Sequence, residues 1–320
     1  MPEQRFPMAD DHRIHVSLPH LRSLEGAAHG LSFLPRQPAG SVLSGRHASR
    51  LRGRGLNFEE MRNYLPGDDV RSIDWKATAR TGSAHVRVFT EERDRPALLV
   101  VDQRMAMFFG SVLNMKSVTA AEAAAISAFR ILGAGDRVGG IVFDDNEVRV
   151  VAPRRSRRSV FALLEATSTM NNRLRADRPV RARAGQLNAV LDRAARTAGH
   201  DHLVVVFSDF DGIDESTERR LRSLAAHNDV LLSLVYDPQA LREFPARKQV
   251  VGNAVAQAEV DFSAAGVREA VGGYTRQRLA RIHGWQDRIN LSVLPLSAGE
   301  DTLKQLREQL RQLAPRRRAR

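Results

Sequence analysis

The chain has 320 residues, 42% hydrophobic and 27% charged, which is a globular composition and excludes global disorder. With no Cys, it excludes a disulfide framework and thiolate metal sites. The net charge of +12 and a pI near 11.1 favour an anionic partner, although the excess is local: Arg46, Arg50, Arg52 and Arg54, the stretch 154–183, and the closing PRRRAR.

Residues 1–35, with Pro2, Pro7, Pro19 and Pro35, read as an extended lead-in with one short amphipathic piece near 18–24. They hold no apolar stretch of signal-peptide length, and the longest apolar runs, 97–101 and 203–207, fall far short of the ~20 residues of a membrane span. A soluble, cytoplasmic protein is expected. Residues 36–96 form a separate, charged N-terminal segment.

From residue 97 a strand–helix period emerges. ALLVVD (97–102) is a short buried strand ending in Asp, and 117–132 is an Ala-rich helix stopped by Gly133 and Gly135. RVGGIVFDDNEVRVVAP is two apolar runs about Asp144-Asp145-Asn146, a hairpin signal. Helices are expected over 157–167 and 186–197, and HLVVVFSD (202–209) is a second buried strand ending in Asp. A helix over 217–227, a strand over 229–237, a hairpin over 248–262 turning at Gly252-Asn253, a helix over 266–283, a strand over 289–296 and a helix over 301–313 complete the pattern. Such alternation implies a three-layer α/β domain with a mostly parallel sheet over 97–315, followed by a basic tail at 316–320.

The chemistry-bearing motifs are sparse. GAGDRVGG (133–140) follows a helix and precedes a strand, the wrong polarity for a pyrophosphate cradle, and no P-loop exists. Neither H-E-x-x-H nor G-x-S-x-G occurs. What stands out is Asp102 and Asp209, each ending a buried strand. Ligands of open α/β sheets bind beyond the strand carboxyl ends, so neighbouring strands with both carboxylates at one sheet edge are expected; the plain alternative is two turn or cap residues.

The segment EEMRNYLPGDDVRSIDWKATART (59–81) mixes dense charge with Tyr64 and Trp75. Leu65-Pro66-Gly67-Asp68 has the Pro-Gly pair of a type II turn, Asp69 suits an N-cap for a short helix with Val70, Ile73 and Ala77 on one face, and 85–89 alternates like a strand. Arg62, Arg71 and Arg80 interleave with Asp68, Asp69 and Asp74. Arg and aromatic residues dominate interface cores, which makes Arg62, Tyr64, Asp68, Asp69, Arg71, Asp74, Trp75 and Arg80 candidate partner-binding residues. The competing reading is a structural brace anchored by a buried Trp75. Both stay open, with Trp75 expected to brace and the exposed arginines to contact the partner.

The string GLNFEEMRNYLPGDDVRSIDWKATARTG, then VRVFTEERDRP and LLVVD, resembles a bacterial family called domain of unknown function 58, over roughly 40–315. The resemblance implies a von Willebrand factor A-like α/β domain after a small N-terminal segment, and a MoxR-type AAA+ ATPase as partner. Domains of that type often hold a divalent cation through D-x-S-x-S, a Thr from a later loop and a further Asp. Here the first motif stands as Asp102-Gln103-Arg104-Met105-Ala106 and the loop as Ala184-Gly185-Gln186-Leu187, without the hydroxyls. Only Asp102 and Asp209 remain, and Arg104 arrives at the rim, so an Arg–Asp pair is expected and no tight metal or other cofactor.

The function expected from this is a non-enzymatic, chaperone-like adaptor that works with the ATPase on a client protein. The rival is a nucleic-acid-binding protein using Arg-rich surfaces; against it, three Tyr and two Trp offer little for base stacking, leaving only non-specific affinity. An enzyme using Asp102 and Asp209 as an acid–base pair lacks a nucleophile.

Overall fold

The computed structural model describes residues 11–28, 56–65, 70–91, 96–177, 183–241, 248–252, 257–261, 265–289 and 291–313. The chain divides into two compact units, 39–94 and the remainder.

In the large unit, α1 (Leu18–Ser23) forms at the short amphipathic piece expected near 18–24, and α2 (Glu25–Ala28) adds a helix where extended chain was expected. Ser17 caps α1 by accepting from His20 N, and Val16, Leu21 and Ala28 are buried in the main core. The apolar spacing was visible; its burial depends on helices 100 and more residues away, as in the 2.8 Å contact between His20 Nε2 and Glu122 Oε1.

The α/β body then runs β3 (Ala97–Asp102), α4 (Lys116–Gly133), β4 (Val138–Phe143), β5 (Val148–Arg154), α5 (Arg157–Asn171), α6 (Gln186–Ala198), β6 (Leu203–Ser208), α7 (Glu215–Ala225), β7 (Asp229–Tyr236), β8 (Lys248–Gly252), β9 (Gln257–Asp261), α8 (Ala265–Ile289), β10 (Ser292–Ser297) and α9 (Thr302–Leu313). Six strands make one sheet in the order β10-β7-β6-β3-β4-β5, parallel except for the β4–β5 hairpin. β8 and β9 form a separate hairpin pairing Gly252 with Gln257; Asn253 of the expected turn lies outside the described residues.

Strand alternation sorts the core into two layers. Ala97, Leu99 and Val101 of β3 face α4, α5 and α9, whereas Leu98 and Val100 face α6, α7 and α8. This is a three-layer α/β arrangement around a mostly parallel sheet. The glycines of β4 are demanded by close approach: a Cβ on Gly140 would lie 2.4 Å from Leu99 O, and one on Gly139 2.3 Å from Val151 O. Gly133 and Gly135 end α4, so the glycine-rich run faces a helix carboxyl end and cradles no pyrophosphate. Among the described residues no helix is long and apolar enough to cross a membrane.

The small unit is built on an antiparallel pair, the expected strand β2 (His85–Glu91) with β1 (Leu56–Asn63), which sequence periodicity missed; β1 carries an irregularity between Phe58 and Glu60. That irregularity breaks the period-2 pattern by which a strand is recognised. Between them lie a 3₁₀ turn at Val70–Ser72 and α3 (Trp75–Thr81). The helix starts later than expected: Asp74, not Asp69, is its N-cap, accepting from Lys76 N and Ala77 N at 3.0 Å each. Ile73 bridges Val86 of β2, and Asp74 N donates to His85 O, so these residues are held by the ribbon before the helix can begin. Pro66, Gly67, Asp68 and Asp69 lie outside the described residues.

Candidate functional site

Asp102 and Asp209 do come to the same sheet edge, because β3 and β6 are parallel neighbours with Val101 opposite Phe207. The chain leaves β3 for β4 on one side while β6 lies on the other, which makes this gap a topological switch point.

Each carboxylate has its own cation. Arg104 grips Asp102 through Nε (3.0 Å to Oδ1) and Nη2 (2.7 Å to Oδ2), and its backbone N–H adds a third bond at 3.0 Å. Ser208 Oγ donates to Asp102 Oδ2 at 2.6 Å, and Arg104 Nη1 reaches Asp211 O at 3.2 Å. Asp209 receives Lys116 Nζ at 2.5 Å and Asp211 N at 2.9 Å, and Arg278 Nη1 donates to Asp211 Oδ1. Burial opposes charge on both sides, but the charges win. Against desolvation, the Asp102 charge and hydrogen bonds hold the Arg104 guanidinium above its ordinary pKa. Against the same penalty, Lys116, then Arg278 and Arg104, hold the Asp209 carboxyl well below the usual carboxylate range. Asp145, whose Oδ2 accepts from Met105 N at 2.7 Å, is instead pushed up by burial.

Two protein cations occupy the carboxylates, and among the described residues no three His, Asp or Glu side chains are grouped to hold a metal. The expected Arg–Asp pair is present. The second cation, Lys116, escaped sequence reading. One signal existed: it is one of four lysines in the chain, and it sits in the first turn of an Ala-rich helix, where a cation opposes the helix dipole.

Around the ion pairs the edge is shaped by the segment between β3 and α4. Ser111 ties to Asp237 through its N and Oγ, and Asn114 N donates to Ala298 O, leaving Phe109, Val112 and Leu113 exposed. Phe109, Lys116, Asp209, Tyr236, Asp237 and Arg278 line a cleft of about 150 Å³. Gln103 is fully buried: Nε2 donates to Ser117 O, and Oε1 accepts from Asn171, whose own Oδ1 accepts from Val16 N. The lead-in is thereby wired to the crevice. Phe210, next to Asp209, has φ 55, a left-handed backbone that an aromatic residue adopts only under surrounding constraint.

The second candidate surface belongs to the small unit. Trp75 is 69% exposed, so the expectation of a buried bracing anchor is corrected: as the first residue of α3 it projects outward, while Ala77 and Val86 fill the interior. Tyr64 is half-buried with its N–H on Ala84 O; Arg71 and Arg80 are exposed; Asp74 is buried as the helix cap. Arg62 lies on β1, its side chain outside the described residues, as are Asp68 and Asp69. Met61, Leu65 and Val70 are further large apolar side chains exposed in the same stretch.

Residues 60–275 match the family described as "Protein of unknown function DUF58". The uncharacterized protein Mb1516 of Mycobacterium bovis and the uncharacterized protein Rv1480 of Mycobacterium tuberculosis are each 34% identical over 216 residues, covering 68% of this chain and 66% of theirs. The match thus spans just under two thirds of those relatives' length. Among solved structures, the conserved hypothetical protein BatB from Bacteroides thetaiotaomicron aligns with a TM-score of 0.41 and 12% identity, over 68% of this chain and 98% of that one. The motif segment of the small unit and most of the α/β body fall inside the matched residues, and the chain belongs to the family of proteins of unknown function DUF58.

Proposed function

We propose that this protein is a non-enzymatic, protein-binding adaptor that acts with a MoxR-type AAA+ ATPase, the partner implied by the family resemblance, in assembling or activating a client protein. The observation that carries the reading is the exposure of Trp75, with Leu65, Val70 and Met61, in the part of the small unit that falls inside the matched segment. Keeping large apolar side chains in water is unfavourable, and exposed patches of this kind mark interaction sites. Arg71 and Arg80 beside them supply the residue type that interface cores favour. The crevice supports the non-enzymatic part, since Asp102 and Asp209 are each neutralised by a buried cation and neither is poised as a free acid or base.

The test is co-purification with the MoxR-type ATPase of the same genome. Wild-type protein should capture it; Trp75→Ala and Arg71→Ala should lose capture while melting normally. Absence of capture by the wild type, or full capture by both variants, overturns the reading.

A further inference from the structure

We propose that the free edge of β5 docks an extended, acidic segment of a partner protein by adding it as a strand to the sheet. The backbone supplies the ladder. Among the described residues β5 closes one side of the sheet and pairs only with β4, antiparallel. Asp144 N donates to Glu147 O at 3.0 Å, and bonded pairs alternate along such a hairpin. Arg149 and Val151 therefore turn their backbone groups toward β4, and Val148 and Val150 turn theirs outward. The ladder is short: the register shifts opposite Val138 and Gly140, and Ala152 O accepts from Ser159 Oγ.

The side chains select the occupant. Arg149 and Arg154 lie on the strand, Arg155, Arg157 and Arg158 follow it, and Arg173 reaches back to the hairpin. Glu147 is shared by Arg149 and Arg173, and Glu25 takes Arg157. Arg154 and Arg158 are exposed, with no carboxylate paired to them among the described residues. A second copy of this edge would set like charges against each other, so the arginines oppose self-association. An acidic strand meets both demands at once: its backbone completes the outward groups and its carboxylates meet the arginines.

The experiment measures anisotropy of a labelled peptide of about ten residues alternating Val and Glu, bound to the full chain. Its comparison probes are the same peptide with Gln for Glu, a fully N-methylated copy that keeps the charge but cannot form the ladder, and a single-stranded oligonucleotide. The Val–Glu peptide should bind, and both altered peptides should bind about tenfold more weakly. Arg154→Gln with Arg158→Gln should weaken binding about tenfold as two ion pairs are lost. Val150→Pro removes an outward N–H that the β4 ladder does not use, so it should abolish binding with the circular dichroism unchanged. Equal binding of the N-methylated peptide, or tighter binding of the oligonucleotide that is lost with the same arginines, overturns the proposal. Trp75→Ala should bind the peptide normally, so failure here leaves the adaptor reading standing.

Discussion

The two tryptophans of this protein stand in opposite environments. Trp285, on α8, is fully buried between that helix and the sheet, with Nε1 donating to Glu218 Oε2 at 3.0 Å. Trp75, on α3, is 69% exposed. The α/β body has two apolar layers deep enough to enclose an indole and satisfy its N–H. The small unit, a two-stranded ribbon with one short helix, buries little more than Ala77 and Val86 among its described residues. Trp285 therefore reports on stability, whereas Trp75 is the one the proposed function assigns to binding.

The largest effect that sharpens this comparison is Trp285→Ala, which should cost about 3–5 kcal/mol in chemical denaturation. A near-neutral result would mean that α8 is not part of the cooperative core. Next comes the buried pair at the sheet edge. Lys116→Met strips Asp209 of its nearest cation and should cost about 3 kcal/mol, at the low end for a broken buried pair because Arg104 and Arg278 remain.

The same pair sets an acid limb. Because the folded Asp209 carboxyl lies below its unfolded value, its contribution is fully present above a pH of about 3.9 and is lost as pH falls through the folded value of about 2. A melting-temperature profile over that window should flatten in Lys116→Met; an unchanged profile would remove Asp209 as its cause.

Smaller effects test the other side. Magnesium at about 1 mM should leave the melting temperature unmoved, whereas a ~10 μM site would add roughly 2.7 kcal/mol. A rise of that size, lost in Asp102→Ala, would show that the ion pairs yield to metal. The smallest effect expected is Trp75→Ala, within about 0.5 kcal/mol of wild type in stability while ATPase capture fails. A stability loss as large as that of Trp285→Ala would erase the difference between the two regions.

Sequence alone determined the sheet architecture, since buried parallel strands and amphipathic helices announce themselves by local period: ALLVVD and HLVVVFSD lie side by side, and their closing aspartates share one edge. The Arg104–Asp102 pair was legible too, the partners being two residues apart. The tertiary structure decided the rest. Lys116 meets Asp209 across 93 positions, the lead-in docks through Val16 onto Asn171 across 155, and β1 hides behind an irregular register. Which tryptophan is buried was likewise beyond composition, because burial depends on how much apolar surface the rest of the fold gathers around a side chain, and that is a property of contacts remote in sequence.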